Sequence, residues 1–172
     1  MLKPQDLLVA IGVALIGRDA WTYEALASKL GLSVSEAHAA VKRAQGAGLL
    51  LGREANRRAL LEFIEHGARY AFFTKRGPVV RGMPTGVGAP PLRDHFQATE
   101  VPVWPSASGT ARGYALAPLY RTVPEAAKED SALYEALALV DAVRDGGARE
   151  RALAMNELRS SLGRSTLVSG RG

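Results

Sequence analysis

Apolar positions recur at helical spacing through the first third of the chain, and single glycines interrupt the pattern at intervals. Over residues 4–16 the run "PQDLLVAIGVALI" is apolar on nearly every side, with Pro4 in its first turn and Gly17 just past its end. This predicts a helix with a wide apolar face, packed at the centre of a core. "RDAWTY" reads as a short extended link. Thr22 can cap a second helix over 23–30, and Gly31 stops it, because glycine takes a positive φ at no steric cost. Ser33 opens a third helix. Glu36 follows three residues later, so "SVSE" is a capping box. That helix is predicted to reach about Gln45, where "GAG" at 46–48 ends it.

The pattern then shortens. "LLLG" at 49–52 predicts a short strand and "REANRR" at 53–58 a charged turn. A helix begins at 59, with Leu60, Leu61, Phe63 and Ile64 on its apolar face and Gly67 at its end. "ARYAFFT" over 68–74 predicts a strand, turned by "KRG" at 75–77 into "PVVRG". Residues 77–124 hold most of the prolines and many glycines. They read as a loop-rich segment with short strands, pinned to a core by Phe96, Trp104, Tyr114 and Tyr120. Within it "GMPTGVGAPP" reads as a flexible loop. Helical spacing returns over 126–143 with Leu133, Ala136, Leu137, Leu139, Val140 and Val143. After "DGG" at 145–147 it continues with Ala152, Leu153, Met155 and Leu158. The predicted class is mainly α with small β. Its parts are an N-terminal unit (1–76), the loop-rich segment (77–124), C-terminal helices serving as core or dimer interface (125–163), and a frayed tail (164–172).

Composition narrows the chemistry. The 172 residues include no cysteine, which excludes disulfides, thiolate catalysis and Cys-ligated zinc. The apolar run "LLVAIGVALIG" is too short for a membrane span, and no small-residue cleavage site follows it. It is expected to be a buried first helix of a cytoplasmic protein with no membrane partner. The net charge is +5. The excess is concentrated: over residues 37–81, nine basic residues face three acidic ones. This basic block suits a nucleic-acid backbone.

Two short helices joined by a Gly-containing turn make a helix-turn-helix unit. Ala27 falls where the helices cross and only a small side chain fits. Leu26, Leu30, Leu32, Ala37, Ala40, Val41 and Ala44 fall on inward positions. On the stretch "EALASKLGLSVSEAHAAVKRAQGAGLL" the chain resembles the winged helix-turn-helix transcriptional regulators of the MarR-like kind, over roughly residues 5–60. In such families the second helix reads DNA, and the "AGL" end leads into a wing. Here that helix is unusually rich in alanine and the wing is short. The resemblance implies a bacterial-type transcriptional regulator, a homodimer that binds double-stranded DNA, and no cofactor is expected.

The expected contacts follow from chemistry and position. Ser33, Ser35, His38 and Ala39 face base edges, and Ala39 can touch a thymine methyl. Lys42 and Arg43 take phosphates or a guanine edge. Arg57 and Arg58, with Lys75 and Arg76, hold the flanking backbone or a minor groove. The three histidines, His38, His66 and His95, lack the spacing of a metal-ligand pair. No nucleophile elbow or phosphate loop is present. "RDHF" at 93–96 and the trio Glu62, Glu65 and His66 read as polar surface, so no enzymatic activity is expected. The alternative is an antitoxin-like or other protein-docking winged helix that binds a partner protein through its C-terminal half. Its exposed-looking "VPVWP" at 101–105 is the candidate contact. A small-molecule effector acting on the same segment is equally compatible.

Overall fold

The computed structural model describes residues 1–17 and 20–164. The expected link at 18–23 loses its first two residues to this limit. The expected tail lies outside the described residues from Ser165 on.

The first helix, α1 (Pro4–Ile16), is buried on all sides from Asp6 to Ala14, which is why its sequence shows so little polar face. It packs against α2 (Tyr23–Leu30) and α3 (Val34–Gly46) on one side and against α4 (Arg57–His66), α7 (Ser131–Asp145) and α8 (Ala148–Leu162) on the other. Leu7, Leu8 and Ile11 are fully buried. Each such side chain contributes roughly 1.5–3 kcal/mol by leaving water. Between α3 and α4 lies a hairpin of two short strands, β1 (Leu50–Leu51) and β2 (Glu54–Ala55). Asn56 then caps α4, accepting from the Ala59 N–H at 3.3 Å and donating to the Gly48 carbonyl at 2.9 Å.

The strand expected over 68–74 is instead a short helix, α5 (Ala68–Ala71), followed by extended chain. Gly67 stays in the right-handed helical region, so the chain bends there without reversing. Phe72 then swings back onto Phe63, ring centroids 5.8 Å apart. The "KRG" expected to turn one strand into the next therefore joins no hairpin; it leads into β3 (Val79–Pro84).

Segment 77–124 builds a small three-stranded closed sheet. β3 pairs antiparallel with both β4 (Pro102–Pro105) and β5 (Ala111–Ala115), and β4 pairs parallel with β5. "VPVWP" is not an exposed contact: Pro102, Val103 and Trp104 are buried, because β4 turns its apolar side chains onto α7 and the core. "GMPTGVGAPP" is not a flexible loop either. It completes β3 and forms a 3₁₀ turn (Gly86–Gly88) packed on α7, with Thr85 fully buried.

The helix expected over 126–143 is two helices, α6 (Val123–Lys128) and α7. Asp130 takes an extended conformation between them and caps α7, accepting from the Leu133 N–H at 3.1 Å. The apolar stripe of α7 is core: residues 136–144 are buried throughout. One buried cluster runs from α1 to α8, so the segments distinguished in the sequence share a core. The fold is mainly α with small β. Among the described residues, no helix is long and apolar enough to cross a membrane.

Candidate nucleic-acid interface

The α2–α3 unit is fixed at every joint. Thr22 caps α2, accepting from the Ala25 N–H at 3.0 Å. Gly31 ends α2 in the left-handed region (φ 69°), and the Leu32 N–H returns to the Ala27 carbonyl at 2.9 Å. Ser33 and Glu36 form the capping box reciprocally: Glu36 N–H to Ser33 Oγ is 3.1 Å, and Ser33 N–H to Glu36 Oε2 is 2.8 Å. Leu26, Ala27, Leu30, Ala37, Ala40, Val41 and Ala44 are buried, and this sets the rotation of α3.

That rotation turns Ser33, Val34, Ser35, His38 and Lys42 to solvent, with Ala39 half-buried among them. The face begins at a helix N-terminus, where the macrodipole favours anions. His38 is not free to swing: its ring stacks on Tyr23 at 4.5 Å and 29°. Tyr23 in turn meets Trp21 edge-on at 5.3 Å.

The hairpin β1–β2 stands beside α3. Gly52 has φ 60°, the requirement of the first central residue of a two-residue II′ turn. Arg53, at the tip, folds back: its guanidinium lies 3.8 Å over the Trp21 ring and donates to the Trp21 carbonyl, while Trp21 Nε1 donates to the Arg53 carbonyl at 3.0 Å. Gln45 ties α3 to the turn, donating to the Gly52 carbonyl at 2.6 Å.

The basic residues expected on DNA divide into two groups. Lys42, Arg58 and Lys75 are exposed. Three others have internal partners. Arg43 Nε donates to both carboxylate oxygens of buried Asp6, at 3.0 and 2.9 Å. Arg57 reaches inward to two helix ends, donating to the Leu162 carbonyl at 2.6 Å and the Ala14 carbonyl at 3.0 Å. Arg76, its side chain still 59% exposed, pairs with Asp145 at 3.0 Å and lies 4.5 Å over the Tyr114 ring. These three arginines brace the fold, and their long-range partners were invisible to a local reading.

Sequence reasoning missed the attachment of the C-terminal half to the start of α3. Tyr120 Oη donates to Glu36 Oε1 at 3.0 Å, and Arg121 Nη2 donates to the same oxygen at 3.0 Å. Arg121 also donates to Tyr120 Oη and lies 4.6 Å over its ring. Thr122 Oγ1 donates to the Leu30 carbonyl at 2.8 Å, and Lys29 pairs with Asp130. The Ser33 N–H, then Arg121 and Tyr120, hold the Glu36 carboxyl down to about 2. A residue 84 positions away in sequence gives no local signal of such contact.

Other polar clusters lie elsewhere among the described residues. Asp141 is fully buried and accepts from Thr85 Oγ1 and Trp104 Nε1, each at 2.7 Å, and from Arg144 Nη1 at 2.8 Å. Burial pushes its carboxyl up, against the pull of these donors. Every partner is a neighbour in the core, so the cluster has the character of a structural network. A cleft of about 370 Å³ opens beside Arg76, Tyr114, Asp145 and Glu150. Glu65 and His66 approach to 3.6 Å on the exposed side of α4, with Glu65 also paired to Arg159. Among the described residues, no group of three or more His, Asp or Glu could hold a metal ion. Compared with known protein families, curated proteins and solved structures, the chain matches none.

Proposed function

We propose that the protein is a sequence-specific double-stranded-DNA-binding regulator of transcription, a winged helix-turn-helix of the MarR-like kind that reads the major groove with α3. The observation that carries this reading is the outward face of α3: small and polar groups at a capped helix N-terminus, with Lys42 one turn beyond His38. A helix needs such a face to approach base edges closely. Lys42, Arg58 and Lys75, exposed members of the basic block over 37–81, supply attraction to phosphate. In this reading Ser33, Ser35, His38 and Ala39 meet bases, Lys42 and Arg58 meet phosphates, and Lys75 extends the contact. Arg43, Arg57 and Arg76 hold the fold that presents them. A homodimer suits the reading, since two α3 helices would then meet half-sites about 34 Å apart.

A mobility-shift titration on DNA from upstream of the protein's own gene, against random competitor, tests it. Binding that survives competitor supports a specific regulator. No binding even at low salt sinks the reading. A specific observation favours a second reading, docking of a partner protein. Tyr70 and Phe73 are 71% and 69% exposed, and Val79 is 47% exposed, all within one short stretch. Capture of one defined partner, lost in Phe73→Ala, would support that reading instead.

A further inference from the structure

We propose that Arg121, from the C-terminal half, is a DNA-phosphate contact belonging to the same interface as α3. This rests on the DNA-binding reading above.

As the third residue of α3, Glu36 completes the capping box, so its carboxylate must sit at the helix N-terminus. That is where a groove-reading helix comes nearest to DNA. An uncompensated carboxylate there repels phosphate. Arg121 cancels it, with Nη2 at 3.0 Å from Oε1. Yet Arg121 is not consumed by the pairing: its side chain remains 68% exposed. Its guanidinium lies 4.6 Å from the Tyr120 ring centroid and donates to Tyr120 Oη, and Tyr120 is itself anchored to Glu36. An arginine fixed in this way loses little side-chain entropy on binding, and its planar fork suits phosphate oxygens.

Placement is as firm as orientation. Thr122 donates to the last carbonyl of α2, and Lys29 pairs with Asp130. Gly31 faces Thr122 so closely that an added Cβ would lie 3.1 Å from the Thr122 Cβ. The segment from Tyr120 to Asp130 is thus docked on the helix-turn-helix turn, and Arg121 cannot drift from the start of α3. The juxtaposition gives the C-terminal half a direct part in the interface.

The test measures affinity for a duplex of random sequence as a function of salt, for wild type, Arg121→Ala, Arg121→Lys and Glu36→Gln, with thermal unfolding as a check of folding. A phosphate contact contributes about 0.9 to the slope of log affinity against log salt. Arg121→Ala is expected to lower the slope by about that amount, while Arg121→Lys and Glu36→Gln keep the wild-type slope. An unchanged slope in Arg121→Ala overturns this proposal alone. So does an equal fall in Glu36→Gln, because Arg121 would then act only by bracing α3. A wild-type chain that binds no duplex at low salt overturns the underlying reading and this proposal with it.

Discussion

Arg43 on α3 lays its guanidinium along the carboxylate of Asp6 on α1, with Nε 3.0 Å from Oδ1 and 2.9 Å from Oδ2. Asp6 is fully buried, while the Arg43 side chain is 28% exposed. The pair pins the last turn of α3 to the first turn of the central helix, and the Lys3 N–H at 2.8 Å helps to satisfy the same carboxylate. Truncating Arg43 to Ala strands a buried charge. Allowing for the exposure of the arginine, the cost is about 2–3 kcal/mol, readable as a lower midpoint in urea unfolding. A variant as stable as wild type would show that Asp6 has other means of support.

The same geometry separates Arg43 from its neighbour in DNA binding. Lys42→Ala is expected to lower the salt slope by about 0.9, the share of one phosphate contact. Arg43→Ala is expected to weaken binding only through stability and to leave the slope unchanged. Equal slopes for wild type and Lys42→Ala would remove Lys42 from the interface.

Glu36 sets a pH signature. Its folded pKa of about 2 lies below the ordinary 4.5, so its contribution to stability is fully present above about pH 4.5. That contribution is lost as the pH falls toward 2 and the carboxyl takes up a proton. The stability gap between wild type and Glu36→Gln should therefore be constant at neutral pH and shrink between pH 4.5 and 2. A gap independent of pH down to 2 would mean that the Ser33, Arg121 and Tyr120 contacts do not favour the charged form.

Asp141 anchors the small closed sheet to α7 through Thr85 and Trp104. Asp141→Ala leaves Arg144 buried without its carboxylate and two donors unsatisfied. The expected loss is about 3–5 kcal/mol. Circular dichroism on thermal unfolding checks it, and a loss under 1 kcal/mol would contradict the role assigned to this network.

Much of the fold was legible in the sequence, for identifiable reasons. Pro4 and Gly17 bracket α1, Thr22 and Gly31 bracket α2, and Ser33 with Glu36 opens α3, because caps are local chemistry. The β1–β2 hairpin was legible only in part: two-residue strands are too short to show alternation, although Gly52 followed by Arg53 carries a turn signal. "ARYAFF" read as a strand because aromatic residues favour strands, but packing of Phe72 on Phe63 overrode that preference. The face of α3 could be laid out from periodicity alone. The fates of Arg43, Arg57 and Arg76 could not, since Asp6, Leu162 and Asp145 lie 37, 105 and 69 residues away. Tyr120 and Arg121 were hidden for the same reason.

The chain has no cysteine, so a single introduced thiol can be labelled uniquely. Ser35→Cys on the outward face of α3, carrying a photo-activated cross-linker, tests the central claim most directly. Ser160→Cys on the exposed side of α8 serves as the control. With bound duplex, the account predicts cross-links to bases from position 35 and none from position 160. A duplex that binds yet cross-links from 160 and not from 35 would contradict the assignment of α3 as the reading helix.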